Sequence, residues 1–451
     1  AIPCIASAPE PDPQPKKAMI ATLITLALLA PSPAALPAPS APPQEARYVE
    51  EVRRLMREPR VERALRAVEE QDERTMEDLV ELTEIAAPPF QEERRGARFL
   101  EKLLELGVDS AWVDEEGNVI GLRRGTPGAG AGAVVYSGHL DTVFPEETDV
   151  RVRRRGDTLY APGIADDTRG LAAVLATLRA MNAAGVRTHK DVLFVGTVGE
   201  EGLGDLRGVK HLFGEGGPAV DAFISIDGTG DEGITHMGLG SHRYKVTFQG
   251  PGGHSWGAFG LGNPAHALGQ AIHQFELAAD AFTRSGTRTS YSVGRIGGGT
   301  SVNAIPFEAW MEVDMRSESQ ERLIRIDSIF QRSMRRALDE ANAARRSGPE
   351  LGVELALIGD RPSGEIPVGD PFVQRAIAVT RAMGLEPALR RSSTDANVPI
   401  SMGIPALTIG GGGVSAGAHS PQEWYVNRDG PRGIQRAMLI LLGQAGLAPA
   451  S

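Results

Sequence analysis

Four short apolar runs in this chain each stop abruptly at an ionisable residue, and that pattern constrains the fold most. Ala133-Val134-Val135-Tyr136 runs into Ser137-Gly138-His139-Leu140-Asp141, and Val192-Leu193-Phe194-Val195 runs into Gly199-Glu200-Glu201-Gly202. Ala222-Phe223-Ile224-Ser225-Ile226 runs into Asp227-Gly228, and Ala406-Leu407-Thr408-Ile409 into a four-glycine loop and then His419. Short runs rich in β-branched residues and bounded by glycine read as buried strands. Between the first two, Leu171, Val174, Leu175, Leu178 and Met181 make a helix stripe closed by Gly185. This alternation predicts an α/β fold with a mainly parallel sheet. Such sheets bind ligands beyond the carboxyl ends of their strands, which is where the ionisable residues fall.

The flanking segments read differently. Residues 45–106 are charge-dense with helical periodicity: Leu79, Leu82 and Ile85 suit one helix face, Phe99, Leu103 and Leu104 another. Residues 240–358 hold alternating, half-exposed strands around 243–248 and 309–315, with helical stretches near 264–284 and 321–346. They predict an inserted α+β domain that splits a catalytic domain into 45–239 and 359–451, the chain returning near Pro367. Residues 1–44 form a leader. In it, Lys16-Lys17, the apolar run 18–30 and the alanines up to Ala38 read as a signal peptide, with a Pro/Ala-rich tether after it. The apolar run is too short for a stable membrane span, so the expectation is a secreted or periplasmic protein.

Composition narrows the chemistry. A formal net charge of −11 and no long basic run argue against a nucleic-acid partner. Cys4 is the single cysteine, so there is no intramolecular disulfide and no cysteine-based zinc site. Any metal must be held by His, Asp and Glu. The 9 histidines include no HExxH pair, and neither a Walker loop nor a GxSxG elbow occurs.

Taken singly, each candidate has an ordinary reading. His139 and Asp141 share one face of a strand end and could be a surface turn. Asp166-Asp167, just before the helix stripe, suits an N-cap. Glu200-Glu201 could be one exposed and one capping residue, although two adjacent carboxylates at a strand end repel unless a cation compensates. Asp227 and His419 stand alone. Together, His139, Asp166, Glu201, Asp227 and His419 supply two imidazoles and three carboxylates. That set suits two Zn²⁺ ions sharing one carboxylate, with Co²⁺ or Mn²⁺ as substitutes, and leaves Glu200 as general base.

These segments resemble the di-zinc superfamily of acetylornithine deacetylase, glutamate carboxypeptidase, aminoacylase and peptidase T. The resemblance spans about residues 75–445. It is carried by Ser-Gly-His139-Leu-Asp141-Thr-Val-Phe-Pro, Ala-Pro-Gly-Ile-Ala-Asp166-Asp167, Thr-Val-Gly-Glu200-Glu201-Gly and Gly-Pro-Gly-Gly-His254-Ser. Gly-Gly-Gly-Thr-Ser-Val-Asn303-Ala-Ile-Pro, Asp314-Met-Arg316-Ser and Ala-His419-Ser complete it. The resemblance implies a di-zinc exopeptidase-like catalytic domain with an inserted lid and dimerisation domain. It implies that Asp166 bridges the metals through a cis peptide to Asp167, with His139 and Asp227 on one zinc and Glu201 and His419 on the other. Asp141 would orient His139, and Glu200 would shuttle the proton. His254 would reach the partner subunit's site in a homodimer, and Asn303 and Arg316 would hold the substrate. Ile-Asp227-Gly-Thr-Gly and Ser393-Thr394-Asp395-Ala396-Asn397 resemble the peptidase T branch and favour a small-peptide exopeptidase over an N-acyl amino acid deacylase or carboxypeptidase. The family often has Lys directly after the acidic pair, as Asp-x-Lys-Gly; Thr168-Arg169 follows Asp167 here instead.

Overall fold

Amphipathic helices open the described chain. Pro43–Met56, Pro59–Glu70, Asp72–Thr83 and Glu93–Glu105 follow one another closely. Pro59 sits in the first turn of its helix, where its missing N–H breaks no bond, and the Glu58 carboxylate accepts from the Arg60 and Val61 amides. Leu79, Leu82, Phe99 and Leu103 are fully buried. Leu104 is exposed, contrary to the expected stripe, because one residue further along a helix turns the side chain about 100° away. This computed structural model describes residues 43–126 and 132–449. The signal segment and most of the tether expected from sequence lie outside the described residues. No helix among the described residues is long and apolar enough to cross a membrane.

The central sheet runs in the order Ser110–Val113, Val119–Arg123, Asp191–Thr197, Ala133–His139, Val220–Ile226, Ala406–Ile409, Gly233–Gly238, Gly364–Glu365. Ala388–Ser392 pairs in parallel with Gly233–Gly238. The middle strands Asp191–Thr197, Ala133–His139, Val220–Ile226 and Ala406–Ile409 are mutually parallel. They are the four apolar runs of the sequence. Ala133–His139 is buried along its whole length, which explains its continuous rather than alternating hydrophobicity. Helix Thr168–Ala183 starts close against the sheet: a Cβ on Gly170 would lie 2.2 Å from the Ile226 carbonyl oxygen, so no side chain fits there.

A second sheet is antiparallel throughout, in the order Thr289–Gly298, Glu308–Ser317, Gly240–Gln249, Gly352–Arg361. Its residues alternate between two faces. In Glu308–Ser317, Ala309, Met311, Val313 and Met315 are buried, whereas Asp314 and Arg316 are half-buried on the other face. The helices Pro264–Thr283 and Gln320–Ala344 close a separate core that contains Val246, Phe248, Phe275, Phe330 and Met334. This is the α/β architecture with an additional α+β unit that the sequence predicts.

Candidate active site

The four parallel strands each deliver an ionisable residue at the carboxyl end. His139 closes its strand, Glu200 and Glu201 follow Thr197, Asp227 follows Ile226, and the glycine loop after Ile409 leads to His419. A small antiparallel sheet of Arg153–Arg155, Thr158–Tyr160, Val414–Ala416 and Trp424–Val426 ties the His419 loop to the segment before Asp166.

The two adjacent aspartates take different places in the structure. Asp167 is the fully buried N-cap of helix Thr168–Ala183: its carboxylate accepts from Gly170 N–H at 3.1 Å, His139 N–H at 3.0 Å and Gly228 N–H at 3.2 Å. Asp166, joined to it by a cis peptide, turns the other way. Its Oδ1 lies 3.1 Å from His139 Nε2 and its Oδ2 3.1 Å from His419 Nε2. Glu201 Oε1 lies 2.8 Å from the same His419 nitrogen. One carboxylate thus has an imidazole on each oxygen.

Asp141 is fully buried behind this cluster. Its backbone carbonyl is 3.0 Å from His139 Nδ1, its carboxylate Oδ1 is 3.5 Å from that nitrogen, and its two oxygens accept the Glu200 and Glu201 amides at 3.0 and 2.7 Å. It therefore positions the His139 ring and the Glu200-Glu201 turn together. Glu200 is buried, and its Oε1 pairs with Arg361 Nη1 at 3.1 Å. A second Arg361 nitrogen donates to the Glu200 backbone carbonyl.

Burial raises the Glu200 pKa well above the carboxylate range, helped by Glu201 and opposed by Arg361. Burial, with Asp166 and Glu201 nearby, pushes Asp227 up to about 7. Asp166 goes the other way: burial opposes its charge, but the His139 and His419 imidazoles hold it well below the usual range. Crowding buried carboxylates in this way costs free energy unless a cation neutralises them. Ligand atoms of His139, Asp166 and Glu201 all lie within 4.8 Å of one another. Bonds of about 2.1 Å to one ion span roughly 4.2 Å, so small side-chain movements close this set on a metal. The residues fit an all-oxygen-and-imidazole metal centre.

The profile of peptidase family M20/M25/M40 matches residues 135–442, more than half of the chain. The chain belongs to this family. Carboxypeptidase G2 of Pseudomonas sp. (strain RS-16) is 26% identical over 337 residues, covering 72% of this chain and 76% of the relative. A Pyrococcus abyssi protein, provisionally named a LysW-lysine/LysW-ornithine hydrolase, is 26% identical over 358 residues, covering 76% and 86%. Among solved structures, aminopeptidase PepT from Bacillus cereus superposes with a TM-score of 0.65 at 20% identity, covering 83% of this chain and 98% of that one. The Saccharomyces cerevisiae di-peptidase Dug1p superposes with a TM-score of 0.66 at 15% identity, covering 86% and 99%.

In this M20-family chain the acidic cluster opens into a cavity of about 720 Å³. Asp166, Glu200, Glu201, Asp227 and His419 line one part, and Arg243, Arg316, Arg361, Arg390 and Arg391 another. Arg316 lines the cavity. Its Nε lies 2.8 Å from Asp314, which also pairs with Arg243 at 3.0 Å. His254 and Asn303 do not line the cavity. They sit together on a short ladder where His254 opposes Ala304 and Ser255 N–H donates to the Asn303 carbonyl at 2.9 Å. Asp395 is buried, accepts from Thr197 Oγ1 at 2.5 Å and does not line the cavity either.

Sequence reasoning missed Arg361, Arg390, Arg391 and Glu423. The adjacent Arg390-Arg391 before the Ser-Ser-Thr-Asp segment was the one legible signal. Glu423 is fully buried and accepts the Gly163, Ala165 and Asp166 amides at 2.9, 2.8 and 3.1 Å, so it shapes the loop that presents Asp166. Arg169, one place away from the family's usual lysine, is structural: buried, it donates to the Gly411 and Gly430 carbonyls.

Proposed function

We propose that this chain is a zinc-dependent exopeptidase that hydrolyses an amide bond of di- or tripeptides. The observation that carries the reading is Asp166, whose two oxygens each face an imidazole, His139 on one side and His419 on the other. A carboxylate so placed is suited to bridge two cations. His139 and Asp227 would complete one position, and Glu201 and His419 the other. Two Zn²⁺ ions held there would supply Lewis acidity and lower the pKa of a bound water toward neutrality. Glu200, buried and raised in pKa, takes a proton from the attacking water and returns it to the leaving amine. Arg361 holds the Glu200 carboxylate in place, and Arg316 grips a substrate carboxylate as a fork.

The likeness to carboxypeptidase G2 supports a second reading, a carboxypeptidase or N-acyl amino acid deacylase using the same residues. Release of free amino acid from a panel of di- and tripeptides and N-acyl amino acids, with zinc and after chelation, separates them. Chelator-sensitive cleavage of free-amine peptides supports the first reading. Cleavage of acylated amino acids alone replaces it with the second.

The working unit is proposed to be a homodimer. His254 and Asn303 lie away from the cavity on a surface that also exposes Trp256 (87%), Phe259 (71%) and Val302 (102%). A second copy docked there would cover these side chains and bring its His254 to this cavity, where it would stabilise the developing oxyanion. The leader supports export, and fractionation of cells expressing the full chain tests that.

A further inference from the structure

We propose that this cavity selects substrates carrying a second anionic group: an acidic side chain on a residue flanking the scissile amide, seated on Arg390 and Arg391. The inference deepens the hydrolase reading above and rests on it.

The guanidinium groups of the cavity are not equally neutralised. Arg361 is paired with Glu200 at 3.1 Å, and Arg243 and Arg316 share Asp314 at 3.0 and 2.8 Å. Arg390 makes no ion pair among the described residues. Arg391 has two long ion pairs, Glu365 at 3.7 Å and Glu318 at 3.9 Å, and its remaining bonds go to the Gly238 and Glu318 carbonyls at 3.3 Å and to Met237 Sδ at 3.2 Å. Surplus positive charge is therefore greatest at Arg390, with the loosely paired Arg391 beside it.

Arg390 and Arg391 both line the cavity. Consecutive residues of a regular strand point to opposite faces, but the ladder is interrupted between these two: Arg390 pairs with Thr235 and Arg391 with Met237, the partner strand carrying His236 as the extra residue. Ser392, Ser393 and Thr394 continue the same wall. Ser393 Oγ accepts from Arg361 at 3.1 Å, which leaves its hydroxyl proton free to donate. Two guanidinium forks with adjacent hydroxyl donors match a carboxylate and leave an amide or a cationic side chain poorly satisfied. With Arg316 assigned to one carboxylate, this wall takes the second.

The test uses the zinc-loaded full chain and matched pairs of dipeptides and N-acetyl amino acids that differ only as Glu/Gln or Asp/Asn on either side of the amide. The expected result is a kcat/KM at least about tenfold higher for the acidic member at one position, mostly through KM, as charge-assisted hydrogen bonds permit. Arg390→Gln, Arg391→Gln and the double variant should bring that ratio towards one, and Arg390→Lys should retain part of it. A wild-type ratio near one, or a ratio unmoved in the double variant, overturns the proposal. Calorimetric titration with L-glutamate against L-glutamine gives a readout independent of turnover. Tighter glutamate binding that is lost in the double variant supports the proposal, and equal binding overturns it. If no amide is cleaved, the hydrolase reading fails, and the titration still decides the anion preference.

Discussion

At the scale of single residues, Glu200 and Glu423 carry separable predictions. Glu200 contacts Arg361 and faces the cavity, whereas its neighbour Glu201 contacts His419. Glu200→Gln keeps shape and removes the proposed base, so turnover should fall by about 10²–10⁴-fold or more with the proposed metals retained. Metal analysis of the purified variant checks this, and loss of metal would move Glu200 into the ligand set. Glu423 touches no imidazole but holds three amides of the Asp166 loop. Glutamine there would set an NH₂ group against a backbone N–H. Metal affinity should then fall by about 10–100-fold, as is usual when a group that supports a ligand is lost, and chelator competition measures it.

At the scale of elements, two joints stand out. Asp167 ties the start of helix Thr168–Ala183 to two strand ends through three amides. Asp167→Ala removes a cap, worth about 1 kcal/mol, and orphans buried N–H groups at roughly 1–3 kcal/mol each. Loss of at least about 2 kcal/mol in denaturant unfolding is expected. In the second sheet, His242 sits between Asp360 at 3.3 Å and Asp327 at 3.9 Å. Burial disfavours its charge, but the two carboxylates outweigh that and raise it to about 9. The folded pKa exceeds the unfolded value of about 6.5. The stabilisation is therefore complete below about pH 6.5 and lost as pH rises through about 9. After allowance for solvent screening it is of order 1 kcal/mol. Melting curves from pH 6 to 10 should show this loss in the wild type and lack it in His242→Gln.

At the scale of the whole molecule, the acidic cluster and the proposed homodimer make the predictions. Metal bound only to the folded state stabilises by about 2.7 kcal/mol at a hundredfold excess over Kd. Chelation should therefore lower Tm and abolish activity together, and zinc should restore both. A homodimer that shares sites predicts that mixing inactive Glu200→Gln and His254→Ala subunits restores part of the activity. An inactive mixture would leave His254 without a role in a partner's site.

Much of this was legible along the chain. The four parallel strands, their order of ionisable residues and the helix after Asp167 follow from local periodicity and from where polar residues interrupt apolar runs. Those signals act over a few residues, so they survive without knowledge of the fold. Spacing alone makes both Asp166 and Asp167 N-cap candidates; the family resemblance gave Asp166 to the metals, and the packing of the helix start against Ile226 and Gly138 supplies the physical reason that Asp167 caps. Arg361 was silent, and the adjacent Arg390-Arg391 did not by itself reveal a role, because a strand arginine is solvated until distant strands wall it into a cavity. His254 and Asn303 show the converse. Their motifs are plain in the sequence, yet tertiary structure places them away from the cavity of their own chain, His254 on a two-stranded ladder opposite Ala304 and Asn303 just before that ladder residue.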